Sequence, residues 1–343
     1  MPHGASCITT FGVAFVINLV DSYGRIARKL RISVTDRCNF RCQFCMPTHP
    51  VWLPRSEILT FEEITRVASI ASRMGVRKIR LSGGEPLMRS GIEKLVEMLA
   101  SIPAIEDVSM TTNGFLLEEK AALLKNAGLK GVTVSLHSLK AERFKQISGG
   151  GALSKVVAGI RAAKRNQFKI KINAVIIRGC NDDEIVEIAS LARTDNVTVR
   201  FIEYMPFDGE RLWEAHKVVG GDEILKRIEE RHELIELPRE AGSTAKNFRF
   251  ANGKGQLGLV TSITQPFCSD CDRIRLSADG KIVPCLFDKS GYDVKQLLRG
   301  DASDEVLMAF IRDAMMRKAP GVETLIKRLR QLEHVRPMHT IGG

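Results

Sequence analysis

Between residues 29 and 205, short runs in which apolar and polar positions alternate take turns with stretches whose apolar residues recur every three or four positions. The alternating runs are Leu30–Thr35, Lys78–Ser82, Val108–Asn113, Val132–His137, Lys169–Val175 and Val197–Ile202. A period of two predicts strands, and a period near 3.6 predicts helices over Phe61–Arg73, Gly91–Leu99, Glu118–Lys125, Leu153–Arg165 and Asp183–Ala192. Strand then helix, repeated along the chain, argues for parallel βα units.

Buried parallel strands usually read as apolar on both faces. These do not. Leu30, Ile32, Val34, Ile79, Leu81, Val132, Val134, Ile170 and Ile172 mark one face. Arg31, Ser33, Thr35, Lys78, Arg80, Thr111, Thr133, Ser135, Lys169, Lys171, Asn173 and Arg200 mark the other, with six cations and no carboxylate. The simplest geometry sets the apolar face under the helices and the polar face inside a barrel. A complete eight-stranded barrel fills its interior with apolar layers. A cationic interior therefore predicts an open lumen that holds an anionic ligand. The expected class is α/β, an incomplete six-unit TIM-type barrel open at its side.

After Pro206 the pattern changes to α+β. Asp222–Glu230, Val294–Leu298 and Asp304–Met316 read as helices. Asn247–Phe250, Gln256–Ile263, Arg273–Leu276 and Lys281–Val283 read as short strands, with turns at Asn252-Gly253 and Asp279-Gly280. The expected organisation is an N-terminal extension (1–22), the partial barrel (23–206), a C-terminal α+β region (207–316) and a basic tail (317–343). That tail holds six Lys or Arg against two Glu and ends in Gly342-Gly343.

The 343 residues carry 51 Lys+Arg and 40 Asp+Glu, a formal charge of +11. With 44% hydrophobic and 27% charged residues, the composition excludes disordered, collagen-like and disulfide-scaffold classes. No apolar run is long enough for a membrane span. The stretch Phe11–Val20 lacks the basic flank and cleavage site of a signal peptide, so a cytoplasmic location without membrane association is expected. The surplus of cations calls for an acidic partner, and a phosphorylated small molecule is one such class.

Six of the eight cysteines are clustered. Cys38, Cys42 and Cys45 form C-x3-C-x2-C; Cys268, Cys271 and Cys285 form C-x2-C-x13-C. Clustered cysteines in a cytosolic chain point to metal rather than disulfides. Three is the important count. Structural zinc takes four protein ligands, and an iron–sulfur cubane normally takes four thiolates. Three thiolates on a cubane leave one iron open to a small molecule. A zinc knuckle with a distant fourth ligand, or plain buried cysteines, is the alternative for each triad. Cys7 and Cys180 are isolated and read as small buried hydrophobes.

The segment LRISVTDRCNFRCQFCMP, Leu30 to Pro47, resembles the radical S-adenosylmethionine (SAM) motif C-x3-C-x-aromatic-C. From about Tyr23 to Gly343 the chain is similar to the GTP 3′,8-cyclase family of molybdenum cofactor biosynthesis. The likeness is carried by RKIRLSGGEPLMR (Arg77–Arg89), TTNG (Thr111–Gly114), RFIEYMP (Arg200–Pro206), FCSDCDRIRLSADGK (Phe267–Lys281) with Cys285, and the terminal Gly-Gly. The resemblance implies two 4Fe–4S clusters. Cys38, Cys42 and Cys45 would hold the one whose open iron chelates SAM. Phe44, where relatives often have Tyr, would lie near the adenine. Gly83, Gly84 and Glu85 would meet the SAM amino group, with Ser135 and Met205 completing the pocket. Cys268, Cys271 and Cys285 would hold the second cluster, whose open iron binds the guanine of GTP. Arg31, Lys78, Arg80, Thr111, Lys171, Arg200, Arg273, Ile274 and Arg275 would contact GTP, and the C-terminal Gly-Gly would reach the site.

The implied reaction is reductive SAM cleavage to a 5′-deoxyadenosyl radical, removal of the ribose 3′ hydrogen of GTP, and attack of the C3′ radical on C8 of guanine. The implied partners are a reductant such as flavodoxin or ferredoxin and a downstream cyclic pyranopterin monophosphate synthase, for a monomer or homodimer. His137 stands where relatives commonly carry Asp, and the sequence does not assign it a role. A competing reading is another radical SAM enzyme with an auxiliary cluster, such as a peptide-modifying one. That reading does not call for the basic barrel face or the Arg273/Arg275 pair. A non-catalytic metal protein that binds RNA would need aromatic platforms among its basic residues, and aromatics make up 6% of the chain without interleaving with the charges.

Overall fold

A computed structural model of the chain describes residues 18–253, 255–288, 291–321 and 336–342. The readings placed on residues 1–17, including Cys7, and on 322–335 and Gly343 lie outside the described residues.

The strand–helix repeat is present from β1 (Lys29–Ser33) through α1 (Phe61–Arg73), β2 (Lys78–Ser82), α2 (Ile92–Ala100), β3 (Asp107–Thr112), α3 (Leu117–Asn126) and β4 (Gly131–Ser135). It continues through α4 (Ala141–Ser148), α5 (Leu153–Arg165), β5 (Lys169–Ile176), α6 (Ile185–Asp195) and β6 (Thr198–Glu203). Helix α4 is additional to the helices expected from periodicity; it is short and ends at Gly149, which takes φ +64°. Local chemistry sets the ends of α1. Thr60 Oγ1 accepts from the Glu63 N–H at 3.2 Å, and Glu63 Oε2 accepts from the Thr60 N–H at 2.7 Å, forming a capping box. Its inner stripe, Ile64, Val67, Ala68, Ile70 and Ala71, is buried against the sheet.

The later region adds α7 (Gly221–Glu229), β7 (Leu234–Glu236), β8 (Lys246–Phe250), β9 (Gln256–Val260), β10 (Arg273–Leu276), β11 (Lys281–Val283), β12 (Tyr292–Asp293), α8 (Lys295–Arg299) and α9 (Asp304–Met316). A last helical turn, α10, covers Met338–Ile341. These strands join the barrel sheet, whose order is β12-β11-β10-β1-β2-β3-β4-β5-β6-β9-β8-β7. β10 pairs parallel with β1, and β9 pairs parallel with β6. The six expected strands thus become eight parallel strands. Among the described residues no ladder joins β9 to β10, so the barrel stays open.

Register carries the polar face around the barrel. Lys29 is level with Arg273 and Lys78, and Arg31 with Arg275 and Arg80. Ser135, Asn173 and Arg200 make a higher row. Leu30, Ile32, Ile79, Leu81, Val108, Met110, Val132 and Val134 point the other way into the core beneath the helices. The same alternation seats Ile274 in that core, where it is 1% exposed.

At the top of β6 the Glu203 carboxylate is buried and gathers four donors. Oε1 accepts from the Gly221 N–H at 3.0 Å and from Thr264 Oγ1; Oε2 accepts from the N–H groups of Ile263 at 2.8 Å and Thr264 at 3.0 Å. One side chain therefore ties β6 to α7 and to the loop after β9. Glu203→Ala strands three backbone donors, each costing about 1–3 kcal/mol when unsatisfied. A clear fall in thermal midpoint is expected by differential scanning fluorimetry, and an unchanged midpoint would contradict the clamp.

Candidate active site

The loop after β1 carries the first cysteine triad, and its path is set by the glycines after β2. Gly84 N–H donates to Thr35 O at 2.7 Å, and Glu85 N–H donates to Arg37 O at 2.8 Å. A Cβ on Gly84 would run into the Arg37 carbonyl, and one on Gly83 into that of Thr35, so only glycine permits this approach. Glu85 completes the join. Its buried Oε1 accepts from Leu87 N–H at 3.0 Å and Thr112 Oγ1 at 2.7 Å, and Oε2 accepts from Asn113 N–H at 2.7 Å. Burial raises this carboxyl to about 7 against the pull of its three donors. Asn113 in turn reaches Asn39 beside the first cysteine at 2.8 Å.

Cys38, Cys42 and Cys45, on the loop beyond the carboxyl end of β1, line a cavity of about 270 Å³. Cys268, Cys271 and Cys285, on the loops before β10 and after β11, line the same cavity. Phe44, Gly83, Gly84, Glu85, Ser135 and Met205 are in its wall, as are Arg31, Arg80, Thr111, Arg200, Arg273 and Arg275. A second cavity of about 220 Å³ lies at the other end of the lumen, and Lys78 and Lys171 open there. Arg31, Arg80, Arg200 and Arg273 line both cavities. Among the expected site residues, Ile274 is not brought to either cavity by its side chain.

The structure also brings in residues that the sequence analysis left out of the site. Asn113, His137, Asn173, Tyr204, Phe267, Leu286, Phe287 and Met338 all line the upper cavity. Asn173 and His137 were legible, since they lie on or just beyond the polar face; Met338 carries no such signal. Phe207 and Phe287, with ring centroids 5.0 Å apart, pack with Met205, Cys268, Cys285, Leu286 and Met338 into a small separate apolar cluster. The Met338 N–H donates to Phe207 O at 3.1 Å. The end of α10 brings Gly342, at φ +80°, against Ser33, Ser82 and Gly83, where a Cβ would collide with Ser82 Oγ.

Among the described residues no three His, Cys, Asp or Glu side chains converge on a single ion. A closed zinc site needs sulfurs about 2.3 Å from one metal. A cubane spreads its thiolates over separate irons and suits three thiols on one cavity wall. The two triads differ electrically. Burial pushes Cys38 up to about 11 and Cys45 up to about 12, with Glu85 and Cys38 respectively adding to it, and Cys42 rises for the same reason. Burial also acts on Cys271, but Arg273, Lys318 and Arg275 outweigh it and bring the thiol down to about 7. Lys318 is buried, and its Nζ donates to Cys271 O at 3.1 Å and Arg273 O at 2.7 Å. Arg25 Nη1 donates to Cys268 O at 2.9 Å, so two cations hold the carbonyl side of this loop.

Of the lumen cations, Lys29 and Arg273 lie within ion-pair distance of Asp272, and Asp107 and Glu240 stand at the lower cavity. Among the described residues no carboxylate lies within ion-pair distance of Arg31, Arg80, Lys171, Arg200 or Arg275. Arg200 Nε and Arg275 Nε are buried without a partner. Burial, reinforced by neighbouring arginines, lowers Arg200 and Arg275 to about 10 and Arg31 well below its usual value. Lys171 falls to about 8 for the same reasons.

The chain is 47% identical over 305 residues to a GTP 3′,8-cyclase of Acidothermus cellulolyticus, covering 87% of this chain and 84% of that protein. It is 43% identical over 336 residues to the GTP 3′,8-cyclase of Rhodopirellula baltica, covering 95% and 92%. This chain belongs to the GTP 3′,8-cyclase family. The Radical SAM superfamily model matches residues 32–192, and the Molybdenum Cofactor Synthesis C model matches 197–324. Among solved structures, SuiB of Streptococcus suis bound to S-adenosylmethionine superposes with a TM-score of 0.61 at 15% identity, over 84% of this chain and 69% of that one. At that identity the likeness speaks for the fold, a partial barrel with a C-terminal extension.

The two triads are electrically unlike, and their reactivity without metal is a direct check. At pH 8 Cys271 is mostly thiolate and Cys38 and Cys45 are thiols. Iodoacetamide labelling of the metal-free protein, read by peptide mass spectrometry, is expected to modify Cys271 about tenfold or more faster. Equal rates would contradict the electrostatic difference.

Proposed function

We propose that the protein is a radical SAM GTP 3′,8-cyclase, making 3′,8-cyclo-7,8-dihydroguanosine triphosphate for molybdenum cofactor biosynthesis. The observation that carries this reading is a single lumen with a cysteine triad on either side and unpaired guanidinium groups between and below them. Cys38, Cys42 and Cys45 would hold a 4Fe–4S cluster for SAM, and Cys268, Cys271 and Cys285 a second for GTP. When bound, the reduced first cluster and SAM supply the radical that takes the 3′ hydrogen of the ribose.

The chain's own residues bind, orient and exclude water. Gly83 and Gly84 let the backbone come close to the SAM site, and Phe44 gives the adenine an apolar wall. Arg273 and Arg275 project from β10 beside the second triad and suit the guanine edge and the α-phosphate, since a guanidinium is a planar fork of donors. The remaining phosphates would extend past Arg31, Arg80 and Arg200 into the lower cavity, toward Lys78 and Lys171. Each charge-assisted bond contributes about 1.5–3 kcal/mol. We further propose flavodoxin or ferredoxin as reductant, cyclic pyranopterin monophosphate synthase as the next enzyme, and a cytoplasmic monomer or homodimer. Among the described residues no helix is long and apolar enough to cross a membrane.

Anaerobic incubation of the iron-reconstituted protein with GTP, SAM and dithionite tests the activity. The expected products are 5′-deoxyadenosine and an isomer of GTP separable by chromatography. Deoxyadenosine formation with GTP left unchanged would overturn the cyclase reading.

Lys171 gives a pH test of phosphate binding. In the free protein it titrates near 8, and a bound phosphate would return it toward its usual range. Binding above pH 8 therefore takes up a proton, and GTP affinity falls as pH rises from 8 to about 10. Calorimetry in buffers of different ionisation enthalpy should show this uptake in the native protein and not in Lys171→Met. Uptake that persists in Lys171→Met would contradict the assignment.

A further inference from the structure

We propose that His137 is a binding residue for the adenosyl half of SAM, with its Nε2–H donating to an acceptor atom there; this rests on the reading of the first triad as a SAM site.

The imidazole is held by continuation of the sheet. β4 ends at Ser135, which is level with Asn173 on β5. One residue on, the Leu136 N–H donates to Asn173 O at 2.9 Å. The next acceptor on this edge is the His137 ring, whose Nδ1 accepts from the Val175 N–H at 3.0 Å. The ring thus takes the place of a main-chain carbonyl. The backbone beneath it is fixed as well. Asn181 Nδ2 donates to His137 O at 2.7 Å and to Val175 O at 2.8 Å, while Asn181 Oδ1 accepts from the Ile177 N–H at 2.8 Å.

Because Nδ1 accepts from a peptide N–H, the neutral ring carries its proton on Nε2. The residue is 5% exposed, and the space it meets is the upper cavity. Among the described residues no acceptor pairs with Nε2–H. The ring meets Phe44 edge to face, with centroids 4.6 Å apart, and Phe44 lies between Cys42 and Cys45. His137 therefore belongs to the first-triad end of the cavity. The His137, Phe44 and Val175 side chains make an apolar recess with one directed donor. A purine nucleoside fits such a recess, since it offers flat apolar faces with nitrogen and hydroxyl acceptors at the rim.

The test measures equilibrium binding to the iron-reconstituted enzyme without turnover. His137→Phe keeps a ring against Phe44 and removes the donor. His137→Gln keeps a side-chain N–H and an acceptor for Val175. The dissociation constants of SAM, 5′-deoxyadenosine, methionine and GTP are measured by calorimetry, with iron content as a control. In His137→Phe, SAM and 5′-deoxyadenosine are expected to bind about tenfold more weakly, with methionine and GTP unchanged. His137→Gln is expected to recover most of the loss, and it decides the matter if His137→Phe loses iron. Unchanged SAM affinity in an iron-replete His137→Phe would overturn the proposal, as would a loss confined to methionine or to GTP. Failure of the cyclase reading itself would show differently, as normal SAM binding and cleavage with GTP left unchanged.

Discussion

Arg31, Arg80, Lys171, Arg200 and Arg275 share one open lumen, and among the described residues none of them has a carboxylate within ion-pair distance, the nearest acids of the lower cavity being Asp107 and Glu240. Buried like charges are costly, and a fold tolerates them where a ligand completes the balance. Much of the remaining architecture keeps this lumen cationic and open. Alternation sends most aliphatic side chains of the strands outward to the helices, leaving Val175, Ile202 and Val260 at the upper cavity, and so removes the apolar layers that plug a complete barrel. The register then stacks charge on charge, Arg275 beside Arg31 beside Arg80. In the proposed reading a triphosphate would supply the missing anion, and both cysteine triads face the cavity that would receive its nucleoside end.

The acids have been moved to the rim, where they act as fasteners. Glu85 binds the glycine turn to the end of β3, and Glu203 binds β6 to α7 and the loop after β9. Glu184 accepts from Ser138 Oγ and Leu139 N–H, each at 2.7 Å, and fixes the loop just beyond His137. Asp208 accepts from the N–H groups of Glu210, Leu212 and Trp213. Each carboxylate meets main-chain donors that would otherwise be unsatisfied, so the loops carrying the chemistry rest on charge-assisted bonds. With these acids engaged by main-chain donors, Arg31, Arg80, Lys171, Arg200 and Arg275 stay available to a ligand.

Periodicity and cysteine spacing exposed the barrel, its polar face and both triads, because each is a local regularity. Ile274 follows the same rule. Its neighbours Arg273 and Arg275 face the lumen, so a period of two already sends Ile274 to the core, and a GTP contact from its side chain is not what the fold provides. Asp107 begins β3 one residue before the predicted start and adds a carboxylate to the lower cavity. Other features had no local trace. Lys318 behind the second triad, Met338 over the cavity and the pairing of β10 with β1 depend on contacts between distant parts of the chain. The apolar–polar rhythm reports only on which side of its own element a residue lies.

The two outermost parallel strands have a consequence for how the protein is made. While residues 29–203 leave the ribosome, β1 and β6 each present a free row of peptide groups, because their partners are encoded far downstream at Arg273–Leu276 and Gln256–Val260. Unpaired edges of this kind recruit other strands, including those of sister chains. The repeating half therefore keeps two open flanks until the downstream segment arrives to close them.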